Sequence, residues 1–186
     1  NLTGEGVAFS PYGALRAGGS VTAVLRRTAF HDIELDRGHA IEGGSWTALQ
    51  IEDSSFERVD ADDGACLYAD GVDIDITGTT FDACTSTDGY SGGIYAEYSS
   101  LSIAESSFSA CSGTDGAAVT AYDAEGLAIS DTLFADNTSA GSGGGLSFVM
   151  VDDAVAALTD VEFTDNTAQR GGAVFGEGAM TLDGGD

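Results

Sequence analysis

The sequence has no lysine and a single proline in 186 residues. Its six basic residues are all arginines (Arg16, Arg26, Arg27, Arg37, Arg58, Arg170), set against 31 acidic residues for a net charge of −25. Five of the six precede residue 60, so the C-terminal two-thirds is almost purely anionic. Nucleic acid is therefore a poor partner, because its binding rests on Lys and Arg neutralising phosphates. An anionic membrane surface is a poor partner for the same reason. No apolar run is long enough to cross a membrane, so this segment is not expected to insert into one. No basic-then-apolar leader opens the sequence, which reads as something other than an unprocessed secretory precursor. The scarcity of proline excludes a collagen or a proline-rich linker, and 27 glycines are too many for a helical protein. The acidic excess reads as a solubility coat suited to a screening, salty medium. Divalent-cation binding is the sharper alternative.

Hydrophobic residues make up 42% of the chain, enough for a buried core. They come in short runs rich in Val, Ile, Leu, Phe and Thr, bounded by Gly, Asp, Asn and Ser, and such runs read as strands between turns. One phenylalanine recurs: Phe30, Phe56, Phe81, Phe108, Phe134 and Phe163, at intervals of 26, 25, 27, 26 and 29 residues. Five residues before each stands Leu25, Ile51, Ile76, Ile103, Ile129 or Leu158. Seven before stands Ala23, Leu49, Ile74, Leu101, Leu127 or Ala156. Two before stands a small hydroxyl (Thr28, Ser54, Thr79, Ser106, Thr132), replaced by Val161 in the last repeat. A second block, a small-residue cluster leading into Leu15, Ile41, Cys66, Ile94, Val119, Leu146 or Val174, repeats in the same frame.

The period-2 spacing of the two aliphatic positions is strand spacing, with both side chains on one face. A unit of about 26 residues cannot bury that face alone, whereas stacked units can. The pattern predicts an all-β, single-stranded parallel β-helix, a β-solenoid of about seven coils of roughly 26 residues. Each coil has one long strand, one shorter strand after the glycines, and a candidate third at the Phe block. The right hand is expected from the general preference of parallel crossovers. Residues 1–186 read as a single β-helix domain, with 1–13 a degenerate first coil. The sequence stops partway through a coil, as a fragment of a longer protein would.

Two repeats combine FADN, ending at Asn137, and FTDN, ending at Asn166, with GGGL (143–146) and GGAV (171–174). These motifs resemble the FxxN and GGA-hydrophobic repeats of the chlamydial polymorphic outer membrane proteins. Earlier coils depart from them: Ile33, Val59, Cys84 and Cys111 stand where the motif has Asn. The resemblance implies a β-helical passenger at a cell surface, with adhesion as its usual role and no catalytic residues. Asn137 and Asn166 fall one coil apart, where stacked amides can hydrogen-bond along the ladder. Asn137 also heads a glycosylation sequon, but an inward Asn would be unavailable.

Candidate sites follow from the same frame. Cys84 and Cys111 occupy one position in neighbouring coils, near disulfide range, with a pair of buried thiols as the alternative. Cys66 is expected in the other inward ladder, between Ile41 and Ile94, as a free buried thiol. No Cys-x-x-Cys or Cys/His set argues for zinc. Asp131 stacks with Asp160 and Asp136 with Asp165, carboxylate pairs that repel unless screened, protonated or bridged by calcium. The outward positions of the short strand run Arg16, Glu42, Leu67, Tyr95, Thr120, Ser147 and Phe175. Leu67 to Phe175 could form a shallow binding strip for a glycan or for a host or cell-surface protein.

The leading expectation is a non-catalytic extracellular or cell-surface module for adhesion or structural presentation. A calcium-dependent polysaccharide lyase or glycoside hydrolase is the alternative, because β-helices host such enzymes and fold alone is not function. Arg16 would be its basic residue, yet it is expected far from the Asp131/Asp160 stack. A third reading is a structural subunit that self-associates end to end into rods.

Overall fold

A computed structural model describes residues 13–17, 22–35, 38–44, 48–61 and 66–184. Of the first-coil segment 1–13 only Gly13 lies within them, and Arg37 lies outside them. The described residues form a parallel β-solenoid of about six turns of roughly 26 residues, with no helix. The coil count is close to that expected from the repeat.

Each turn contributes to three sheets. The first collects the short strands that follow the glycines: Gly13–Ala17, His39–Gly44, Leu67–Asp70, Ile94–Glu97, Val119–Ala124, Leu146–Met150 and Val174–Glu177. The second collects the longer strands from Thr22–Arg26 to Ala179–Asp183. The third holds the phenylalanine strands, from Ala29–Leu35 to Glu162–Thr164, and short continuations such as Thr138–Ser139. Pairing is parallel and in repeat register. Leu101 lies between Ile74 and Leu127, Ile103 between Ile76 and Ile129, and Phe108 between Phe81 and Phe134.

Side-chain ladders fill the interior. The six phenylalanine rings stack nearly parallel, with centroids 4.6–5.0 Å apart. That spacing is set by the backbone, since neighbouring strands sit about 4.8 Å apart. Identical side chains in register therefore meet face to face. Above the rings runs a ladder of hydroxyls. Ser54, Thr79, Ser106 and Thr132 each donate to the carbonyl two residues earlier, and each accepts the amide of the equivalent residue one turn before. The small hydroxyl thus satisfies backbone groups that a buried corner would otherwise leave unpaired.

The asparagine ladder is present as well. Asn137 Nδ2 donates to the Phe108 carbonyl at 3.1 Å and to Asn166 Oδ1 at 2.8 Å, while Asn137 Oδ1 accepts the Cys111 amide at 2.9 Å. Asn137 is fully buried, so its sequon is inaccessible in the folded chain.

Corners repeat as strictly as strands. One residue per turn adopts positive φ along three lines. Arg27, Asp53, Gly78, Glu105, Asp131 and Asp160 form one, and Asp32, Arg58, Ala83, Ala110, Asp136 and Asp165 form another. Gly71, Tyr98, Asp123, Asp152 and Gly178 form the third. Asp, Asn and Gly tolerate the left-handed region best, which accounts for the aspartates recurring there. The first glycine of each GGA-type block is similarly constrained: Gly143 has φ 60° and Gly171 φ 58°. A Cβ on Gly143 would press on the Leu146 carbonyl, and one on Gly171 on that of Val174.

Candidate functional site

With the interior occupied by ladders, chemistry is left to the outer faces. The first sheet carries the strip expected to bind a ligand, with one correction. Register pairs Glu42 with Tyr68 and Tyr68 with Tyr95, then Thr120, Ser147 and Phe175. Leu67 is therefore not on the strip. It aligns with Ile41 and Ile94 and is completely buried. Leu67 stands 11 residues after Phe56, as Ile41 does after Phe30, so the core position is Leu67 and Cys66 precedes it. The strip is also less open than a simple alternation implies. Thr120 and Ser147 are buried, and the Thr120 hydroxyl donates to the Asp115 carbonyl in the loop that crosses them.

What the strip does present is aromatic. His39 stacks on Tyr68 with centroids 4.7 Å apart, Tyr68 on Tyr95 at 5.6 Å, and Tyr90 on Tyr95 at 4.9 Å. Tyr90 enters from the loop before the strand and is 56% exposed. Tyr98 and Tyr122, also exposed, flank the stack on the neighbouring corner and strand. Carboxylates lie among these rings. Partial burial raises the Tyr68 and Tyr95 phenols above the usual tyrosine range, and Asp70, Glu97 and Glu42 raise Tyr68 further. Asp123 raises Tyr98, followed by Glu97. All these phenols are neutral near pH 7, and the local field is negative. Further along the same face the Arg170 guanidinium lies 4.8 Å above the Phe175 ring.

The second sheet bears a shallow groove of about 530 Å³, lined by aliphatic and small residues with two acids, among them Leu49, Ile74, Asp73, Asp75, Ser100 and Leu101. The third sheet bears an ion network on its outer corner. Asp32 accepts from Arg58 Nε at 2.6 Å and lies 3.2 Å from His31 Nδ1, while Arg58 Nη1 lies 3.5 Å from Glu57. The Arg58 hydrogen bond, helped by His31, lowers the Asp32 carboxyl to about 2. Arg26 and Glu52 form a bidentate pair nearby.

The cysteines are paired differently from the expectation. Cys66 and Cys84 form the disulfide, with Cα atoms 6.2 Å apart, and Cys111 is a buried free thiol. Cys84 and Cys111 do stack in register, but side chains at equivalent positions of a parallel ladder point the same way, and their sulfurs run side by side. Cys66 approaches from the opposite wall of its own turn and faces Cys84. The Cys111 thiol is directed at the Ser109 and Phe81 carbonyls, and burial pushes it up to about 12.

Asp131, Asp160, Asp136 and Asp165 sit exposed at the positive-φ corners. Corner geometry accounts for their stacking without a bridging ion. Among the described residues no group of three or more His, Cys, Asp or Glu converges to hold a metal. The Gly13–Ala17 strand carrying Arg16 pairs beside Glu42, as expected, at the opposite end of the solenoid from Asp131 and Asp160. No sequence repeat marks Tyr90, because it comes from a loop; its only signal was an aromatic five residues before the strip position Tyr95.

Against this geometry stands one family match. Residues 160–177 match the model of the Chlamydia polymorphic membrane protein (Chlamydia_PMP) repeat. The match spans Phe163, Asn166 and the 171–174 GGAV block, which here supply the last ring, the last ladder amide and a glycine corner. The likeness to polymorphic membrane protein repeats and the parallel solenoid therefore agree, and they point to a β-helical module of a surface protein. No curated protein and no solved structure matches the chain significantly.

Proposed function

We propose that this chain is a non-catalytic module of an extracellular or cell-surface protein that presents a rigid outer face for adhesion. The observation that carries the reading is the aromatic stack of His39, Tyr68, Tyr95 and Tyr90 on the first sheet. Elsewhere the repeated ladders bury their aromatics, as the phenylalanine column does. Here aromatic rings are held on the outside by the same strand spacing, and Tyr90 adds a ring from a loop. Exposed, clustered aromatic surface rimmed by polar groups marks interaction sites. The in-register backbone keeps it preorganised, which lowers the ordering cost of binding. The likeness of residues 160–177 to a surface-protein repeat supports the same reading.

The test is incubation of the purified chain with a panel of polysaccharides and surface-protein fragments, with calcium and with chelator. Both retention and release of reducing or unsaturated ends are read. The expected result is retention that Tyr68→Ala and Tyr95→Ala weaken, with no product. Turnover of a polysaccharide would overturn the non-catalytic reading.

A further inference from the structure

We propose that the tyrosine–carboxylate patch on the first sheet docks arginine side chains of a basic protein segment. This rests on the adhesive-module reading and names the chemistry of its partner. Three observations carry it. The first is shape. Tyr90 and Tyr122 are 56% and 43% exposed, giving open ring surface beside the half-buried Tyr68 and Tyr95. A guanidinium is planar, weakly hydrated and stacks on aromatic faces, whereas an ammonium is a compact, strongly hydrated charge.

The second is charge complementarity. Asp70 and Glu97 lie on the same strands as Tyr68 and Tyr95, two residues on and therefore on the same face, and they are in register with each other. Glu97 also pairs in register with Tyr122. An arginine over the rings would find carboxylates placed to take its N–H groups. The net charge of −25 would steer a basic segment in and repel an acidic glycan.

The third is that the chain already makes this contact with itself. Phe175 occupies the ladder position of Tyr68 and Tyr95 at the far end of the same face, and Arg170 lies 4.8 Å above its ring. The geometry of the face therefore accepts a guanidinium on an aromatic at this position. The Tyr68–Tyr95 end, rich in rings and acids, offers the same seat to an arginine from outside.

The experiment titrates the full chain into a fluorescent peptide with three arginines spaced by glycines, and into its lysine counterpart. Ionic strength is held near physiological, where charges beyond about 8 Å are screened. The arginine peptide is expected to bind more tightly. Tyr90→Ala, a change at an exposed loop side chain, should weaken it about three-fold, the size of one exposed cation–π contact. Glu97→Gln should also weaken it, while Asp75→Asn, which removes the same charge from the second sheet's groove, should not. Equal affinity for both peptides, no effect of Tyr90→Ala, or equal losses for Glu97→Gln and Asp75→Asn would overturn the proposal in favour of a diffuse field. A neutral glycan retained through the tyrosines in place of the peptide would overturn it while leaving the adhesive module intact. Product release from a polysaccharide would overturn the module reading itself.

Discussion

Phe108→Ala tests how the column of rings supports the fold. Phe108 is fully buried, with Phe81 at 4.6 Å on one side and Phe134 at 5.0 Å on the other. Removing a buried ring costs about 3–5 kcal/mol through lost transfer energy and the cavity left behind. The upper end applies here. Both neighbouring rings are fixed by their own strand ladders and cannot collapse into the gap, and two ring–ring contacts are lost, each contributing about 0.5–1.5 kcal/mol beyond area. A loss near 5 kcal/mol is therefore expected. Phe163 holds the same repeat position but is only partly buried and stacks on one ring, Phe134, so Phe163→Ala should cost clearly less. Urea unfolding followed by circular dichroism gives the totals. Hydrogen exchange should place the Phe108 effect in the turns on either side, because a solenoid couples mainly nearest neighbours. A loss below about 2 kcal/mol at Phe108, or equal losses at the two positions, would refute the argument that stacking within the column sets the cost.

Other outcomes follow from the same geometry. Asn137→Leu removes the side-chain partner of the Cys111 amide and of the Phe108 carbonyl, and one of the two donors to Asn166 Oδ1, so a loss of about 3 kcal/mol is expected in urea unfolding. Thiol titration should find no reactive cysteine in the native oxidised chain and one after unfolding without reductant. Mutating Cys66 and Cys84 together to Ser should cost about 3 kcal/mol, as for a bridge closing a loop of this size. Asp131→Gly should be nearly neutral, whereas Asp131→Val should lose about 1–2 kcal/mol by thermal melting, because the site needs positive φ. Asp32 should titrate near 2 by carboxyl NMR and return toward 3.8 in Arg58→Ala. A folded pKa below the unfolded one gives a contribution present above the unfolded value, lost as pH falls from about 4 through 2.

The interior was largely legible in the sequence because stacking forces each inward position to repeat. Phe108, Ile103, Leu101 and Ser106 recur in kind from turn to turn, and their spacing gives both strand period and coil length. What escaped was whatever depends on position across the coil. The Cys66–Cys84 bridge joins opposite walls of one turn, a relation invisible to an alignment that compares equivalent positions. Placing Cys66 instead of Leu67 at the core position exchanged a core leucine for the half-buried Tyr68 and so hid the middle of the aromatic stack. Tyr90 sits in a loop outside the period. The aspartates were found correctly as a repeat, and their shared feature in the structure is a left-handed backbone.

The most direct test of the account is a nuclear Overhauser spectrum of the chain with ring-labelled phenylalanine. Rings 4.6–5.0 Å apart should give cross-peaks linking Phe56 to Phe81, Phe81 to Phe108 and Phe108 to Phe134 in one unbroken series. That series would establish in-register stacking of successive turns, the frame on which the outer aromatic face depends. Cross-peaks that skip a repeat, or pair these phenylalanines with residues at other repeat positions and not with one another, would contradict it.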